Sequence, residues 1–382
     1  MQASQLAQCI KPFLAMDVLE SAQRLECQGH DIVHLEIGEP DFDTPDCIKE
    51  AALRALQDGR THYTHSLGLL ELREAICDDY QQRYNVELHP DQIVVTSGTS
   101  PAILLCLAAL LEPGHSVIVS DPAYACYANF ITFARGKPVP VPVQEEDGFQ
   151  YRVQDIRNVL SPETRAVMIN SPANPTGTLL SADRMRQLAE LETYILSDEI
   201  YHGLEYGEKA HSILEFTDKA FVFNGFSKRY AMTGWRLGYL ITPKHFIRDI
   251  QKMAQNLFIC APAMNQWAGI AALKEAEPDV AAMVSIYDQR RLYMIERLKQ
   301  LGFGIKSEPR GAFYILANCK GFNTDSLKLA FDILEKAHLG VTPGIDFGHN
   351  GEGYLRFSYA NSMDNIALGL DRLEKYLSRH MA

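Results

Sequence analysis

Short β-branched and apolar runs alternate with stretches of helical periodicity along most of this chain. The run QIVVTSG (92–98) precedes the helix-like PAILLCLAALL, which stops at Pro113-Gly114. SVIVSDP (116–122) precedes AYACYANFITFA, and AVMINSP (166–172) leads through a loop to SADRMRQLAEL. TYILSDEIY (193–201), AFVFNGFSK (220–228) and RLGYLITP (236–243) complete the series. Alternation of this kind predicts the α/β class, a large domain with a mostly parallel sheet flanked by helices. Ligands of such sheets collect at the carboxyl ends of the strands.

The pattern changes after residue 260. A long helical stretch is expected over 261–301, followed by strand-like GAFYILA (311–317) and GYLRFSY (353–359), which alternate with helical segments at 325–337 and 365–376. These elements read as a second, smaller α/β domain. The strand-like DIVHLEIGEP (31–40) needs neighbours to be stable, so the segment before Thr44 is expected to pack with it. The expected organisation is a large domain at 45–290 and a discontinuous small domain made of 1–44 and 291–382.

With 382 residues, 47% hydrophobic and 22% charged, the composition is that of a globular chain long enough for two cores. A formal charge of −12, with no basic stripe, argues against a nucleic-acid partner. The eight cysteines are scattered, without a Cys-x-x-Cys pair, and read as reduced thiols in the cytosol. The N-terminus lacks a basic leader before an apolar stretch, and the longest apolar run, 102–111, is too short to cross a bilayer. A cytoplasmic protein with no membrane partner is therefore expected. His62 and His65 lack the glutamate and third ligand of a helical zinc motif, so no metal is expected. Glycine-rich nucleotide loops and the Gly-x-Ser-x-Gly elbow of serine hydrolases are also missing.

Polar residues at the carboxyl ends of the expected large-domain strands are the candidates for chemistry. Ser97, Gly98 and Thr99 lie between a strand and a helix, where free amides and the helix dipole seat a phosphate or form a simple cap. Asp198 ends an apolar run, where a carboxylate needs a cationic or hydrogen-bonding partner; a protonated ring nitrogen would serve, as would a salt bridge. Tyr201 could bond a phenolic oxygen or pack in the core. The NSPANPTG segment is a turn by composition, and Asn174 within it is the candidate ligand contact. Tyr124 offers a face for an aromatic ring. In FSKRYAMTGWRLGY (226–239), Lys228 follows an apolar run beside Ser227, and Arg236 matters only if it folds back to the same rim. A lysine amine, an aspartate, an asparagine, a tyrosine, a stacking aromatic and a phosphate cradle together describe pyridoxal 5′-phosphate, whose aldehyde needs a lysine and whose ring nitrogen must stay protonated.

These motifs, together with IGEPDFDTP, HYTHSLGLLELREAI, VVTSGTSPAI, NSPANPTGT, SDEIY and YLRFSYA in order, resemble the class I pyridoxal-phosphate aminotransferases, the aspartate-aminotransferase-like family of fold type I. The resemblance spans nearly the whole chain. It implies a Schiff base on Lys228, which later shuttles the substrate proton. Asp198 would pair with the ring nitrogen, and Tyr201 and Asn174 with the ring oxygen. Ser97, Gly98, Thr99, Ser227 and Arg236 would hold the phosphate, Tyr124 would stack on the ring, and Tyr63 would reach the phosphate of a neighbouring subunit in a homodimer. Arg356 would grip the α-carboxylate of an amino-acid or 2-oxo-acid substrate, with Gly38 contributing backbone. Thr99 and Ser100 stand where some relatives that prefer acidic substrates carry a basic residue. A β-lyase shares the same first steps and is the alternative reading; a ligand-sensing regulator finds little room, since the family pattern starts almost at residue 1.

Overall fold

A computed structural model describes residues 2–380. Among the described residues, twelve strands form three sheets. In chain order they are β1 (Val33–His34), β2 (Ile93–Thr96), β3 (Ser116–Asp121), β4 (Lys137–Pro142), β5 (Thr164–Asn170), β6 (Tyr194–Asp198), β7 (Ala220–Gly225), β8 (Gly238–Ile241), β9 (Tyr314–Asn318), β10 (Leu339–Gly340), β11 (Thr342–Pro343) and β12 (Tyr354–Ser358). The main sheet has seven strands in the order β2-β8-β7-β6-β5-β3-β4. Only β8 runs antiparallel to its neighbours. The expected α/β architecture is therefore observed, with one reversed strand inside the sheet.

Side chains alternate strictly between the two faces of this sheet. Phe221, Phe223 and Met168 pack on one side with Ile103 and Leu107 of the helix Thr99–Leu110. Val222, Val167 and Ile195 belong to the core on the other side. Both faces are covered, which is why β6 and β7 read as continuous apolar runs. Each large apolar side chain buried in this way contributes roughly 1.5–3 kcal/mol.

Three elements differ from the sequence pattern. KPVPVP forms β4, an edge strand paired only with β3; its prolines hide it in the sequence but are tolerated where one side needs no ladder. The stretch 261–301 is two helices, Ala263–Glu275 and Glu277–Gln300, divided at Ala276, with a proline in the first turn of the second. The second helix runs continuously through residue 290. Of 31–40, only Val33–His34 is strand, paired in parallel with β10. Beyond Leu35 the carbonyls turn to side chains: Glu36 O accepts from Arg356 and Thr342, and Gly38 O from Lys228. A segment expected to be sheet is thereby a cavity wall.

The smaller part carries an antiparallel sheet, β11-β12-β9, with β12 in the middle. The helix Leu14–Cys27 joins it through Val18 and Ala22, which pack with Ile32 and Leu334. Asp325 caps the helix Ser326–Ala337, and Met363–His380 is the last helix. Among the described residues, no helix is long and apolar enough to cross a membrane.

Candidate active site

A cavity of about 370 Å³ opens where β5, β6 and β7 end, and the small domain's β12 and the loop after β1 close its other side. Its position follows from strand direction. Because β8 runs against its neighbours, its first residue, Gly238, lies opposite both Thr96 at the end of β2 and Gly225 at the end of β7. Arg236, two residues earlier, is thus delivered to the same rim. The folding back on which its role depends is observed.

Lys228 lies three residues beyond β7, on the cavity wall, and its Nζ donates to Gly38 O at 2.7 Å. Burial lowers its pKa to about 8; Arg236 and Arg356 push the same way, while Glu39 and Asp198 oppose them. The amine is a far better nucleophile at neutral pH than a solvated lysine.

Asp198 is the last residue of β6 and is buried. Its Oδ2 accepts from Tyr127 Oη at 2.6 Å and its Oδ1 from Ile200 N at 3.2 Å. Burial raises its pKa to about 6, against the pull of those hydrogen bonds and the Lys228 charge. Among the described residues it makes no ion pair, so the salt-bridge alternative does not hold. A buried carboxylate with acceptor capacity to spare suits a cationic ligand atom.

Arg356 sits at the centre of β12, 2% exposed. Its Nη1 donates to Asn174 Oδ1 at 3.0 Å, and its Nη2 to Glu36 O at 2.5 Å and Thr342 Oγ1 at 3.0 Å. The Tyr314 and Phe347 rings lie 4.4 and 5.0 Å from its guanidinium carbon. Asn174 is itself held by its backbone N–H on Asn170 Oδ1 at 2.8 Å. Tyr201 Oη meets Tyr314 Oη at 2.9 Å, so it is both buried in the core and on the cavity wall.

The opposite end is shaped for an anion. Gly98 has φ +94° and precedes the helix Thr99–Leu110, whose first turn receives no side-chain cap. A Cβ on Gly98 would meet Arg236 Nη2 at 2.6 Å, and one on Gly238 would meet Gly98 C at 2.8 Å. Glycine is therefore required on both sides of the cradle. Thr99, Ser100, Ser227 and Arg236 line it, and Tyr124 forms the adjoining wall with its ring edge-on to Tyr127 at 5.2 Å.

One expected residue stands elsewhere. Ser97 lines a separate small cavity with Ser66 and Cys260, on the far side of its loop, and Ser100 occupies the place on the main wall. Tyr63 is 81% exposed and outside this cavity. Uncapped amides with a guanidinium, a buried amine and a buried carboxylate form the donor set that pyridoxal 5′-phosphate requires at its phosphate, aldehyde and ring nitrogen.

The family model for aminotransferase class I and II matches residues 30–373. The chain belongs to this family. The aminotransferase is 40% identical over 371 residues to the (5-formylfuran-3-yl)methyl phosphate transaminase of Methanocaldococcus jannaschii, covering 96% of this chain and 97% of that one. It is 36% identical over 388 residues to aromatic-amino-acid aminotransferase 2 of Thermococcus litoralis, covering 99% and 98%. Among solved structures it resembles the aspartate aminotransferase from Thermus thermophilus with maleate, at TM-score 0.94 and 35% identity, covering 98% and 99%. The aminotransferase is a pyridoxal-phosphate-dependent enzyme of fold type I that works through a lysine Schiff base in two half-reactions.

Sequence reasoning missed Tyr127, Tyr314 and Glu39. Tyr127 follows Tyr124 by three residues in a stretch read only as helix, and its hydrogen bond to Asp198 spans 71 positions. Tyr314 lies on β9, where alternation identifies a strand but not which tyrosine faces a ligand.

Proposed function

We propose that this aminotransferase binds pyridoxal 5′-phosphate at the carboxyl ends of β5, β6 and β7, with its phosphate on the Gly98–Ser100 turn, Ser227 and Arg236. When bound, the cofactor supplies a conjugated electron sink for the pair left by breaking a Cα–H bond. Lys228 Nζ would hold the cofactor covalently and, when free, would take the proton from the substrate's Cα and carry it to the cofactor. Asp198 keeps the proton on the ring nitrogen, and Tyr127 and Ile200 N fix the orientation of its carboxylate. Tyr201 and Asn174 would hold the ring oxygen, and Tyr124 would cover the ring, all three lining the cavity. Arg356 binds the α-carboxylate of the amino acid and then that of the 2-oxo acid, its fork matching the two oxygens. Gly38 allows Tyr314 to approach closely, since a Cβ there would lie 2.3 Å from Tyr314 Oη.

The observation that carries this assignment is Lys228 Nζ, depressed in pKa and placed in one cavity with Asp198 and Arg356. Lys228→Ala tests it. The variant should lose the visible absorption of the lysine-linked cofactor and all amino transfer to a 2-oxo acid, while remaining folded by circular dichroism. Retained transfer would refute the role of Lys228. Pyruvate and ammonia released by the native enzyme from a cysteine-type substrate, without an oxo-acid acceptor, would favour elimination instead.

We also propose a homodimer in which Tyr63 completes the neighbouring site. Ser66 Oγ accepts from Gln251 and Gln255, which brings the Tyr63 loop beside the helix Ile247–Leu257. Leu257, Phe258 and Ile259 at that helix end are exposed, as is Tyr63. Exposed apolar residues of this kind are suited to burial against a second copy. The domain division proposed is 45–290 against 1–44 with 291–382, which places the junction within the helix Glu277–Gln300.

A further inference from the structure

The cavity wall has two chemically distinct sides. Its cationic side chains, among the described residues, are Lys228, Arg236 and Arg356. On the reading above, each is already engaged, by the aldehyde, the phosphate and the α-carboxylate. Its aliphatic lining, with Phe13, comes from two places: Phe13, Ala15, Met16, Leu19 and Ile37 in the N-terminal segment, and Ile103 on the helix Thr99–Leu110.

The helix Leu14–Cys27 explains why these residues face an opening. Its Val18 and Ala22 are consumed by packing on Ile32 and Leu334. Asp346 pins the first turn by accepting from Leu14 N at 2.9 Å and Ala15 N at 3.1 Å. Held in this way, the helix turns a second apolar stripe, Ala15, Met16 and Leu19, toward the cavity, and Met16 stays 47% exposed. Phe13 extends the stripe to Tyr124, ring edge to ring face at 6.0 Å. The acidic residue at the mouth, Glu39, accepts from Thr233 and adds negative charge on this side.

We propose that the amino donor carries a large uncharged apolar side chain, aromatic or long aliphatic, seated against Phe13, Met16, Leu19, Ile37 and Ile103. This rests on the aminotransferase reading of the same cavity. A second carboxylate on the donor would meet apolar carbon and Glu39 with no cation of the protomer left to pair it, a costly arrangement. A basic side chain would find Glu39 alone at the mouth, a carboxylate already accepting from Thr233, and apolar carbon over the rest of that side.

The holoenzyme is mixed with single amino acids, and loss of the visible cofactor band is followed by stopped-flow. Phenylalanine, methionine and leucine should bleach the band with kcat/KM at least roughly tenfold above alanine, aspartate, glutamate and lysine, as expected when a pocket gains or loses methylene contacts. A parallel titration uses unreactive acids: 3-phenylpropionate should perturb the band at lower concentration than succinate. Ile103→Ala should narrow both preferences. Aspartate or glutamate reacting fastest, together with tighter succinate binding, would overturn the proposal and leave the aminotransferase reading intact. Bleaching by none of the amino acids would contradict that reading, and the acid titration would still decide the character of the wall.

Discussion

Lys228 and Asp198 are moved in opposite directions by the same cause. Burial disfavours charge on both, lowering the amine to about 8 and raising the carboxyl to about 6. Each is thereby poised near neutrality, where proton transfer is most responsive to a ligand. Arg356 differs, because its charge persists and its geometry matters. Hydrogen bonds to Asn174, Thr342 and the Glu36 carbonyl hold the guanidinium in one plane. Replacing it by lysine keeps a charge but removes the fork. Arg356→Lys should weaken amino-acid binding by roughly a hundredfold, within the range for losing one partner of a buried charged pair. Cofactor affinity should change much less. Spectral titrations with a donor and with the cofactor check this; equal losses would mean that Arg356 supports the fold rather than the substrate. At this scale the sequence identified chemistry better than contact. Lys228 and Asp198 were legible as residue types at strand ends, whereas the Lys228–Gly38 contact spans 190 positions and Tyr127 gave no local sign of its partner.

Among the elements, the segment from β1 to Gly38 has the most to hold together. His34 Nδ1 lies 2.6 Å from Glu36 Oε1 and its Nε2 lies 3.1 Å from Glu26 Oε1, so a protonated ring ties the helix Leu14–Cys27 to the cavity wall. The hydrogen bond to Glu36 chiefly raises its pKa to about 9, against desolvation and with help from both charges. A folded-state pKa above the unfolded value near 6.5 gives stability that is fully present below that value and lost as pH rises through about 9. Thermal unfolding of the native protein should therefore show a fall in Tm between pH 7 and 9.5 that is smaller in His34→Gln. Identical slopes would show that the clamp contributes nothing. The pattern of apolar positions revealed six of the seven main strands but not β4, because prolines interrupt its strand signature. It also overextended the 31–40 strand, since alternation is equally consistent with a segment whose carbonyls are claimed by side chains. The direction of β8 could not be read at all, as antiparallel and parallel strands share one residue pattern.

At the scale of the whole molecule, segments from Gly38 to Arg356 meet on one rim because parallel strands end together and one reversed strand begins there. Tyr63 and the apolar residues Leu257–Ile259 are exposed. Sedimentation should give a dimer at micromolar concentration, and Tyr63→Phe should raise the concentration of cofactor needed for half-saturation by several-fold without dissociating it. A fully active monomer would remove the neighbouring tyrosine from the site. Fold class and the motif order were legible from the sequence because both are repeated along the chain; the cavity wall from Phe13 to Leu19 was not, since its meaning depends on which stripe of a helix the small domain leaves uncovered. The central claim is that this assembly presents one amine to one aldehyde. Borohydride reduction of the holoenzyme followed by peptide mapping tests it most directly: a single pyridoxyl group on Lys228 is the predicted result, and an adduct on another side chain, or none, would contradict the account.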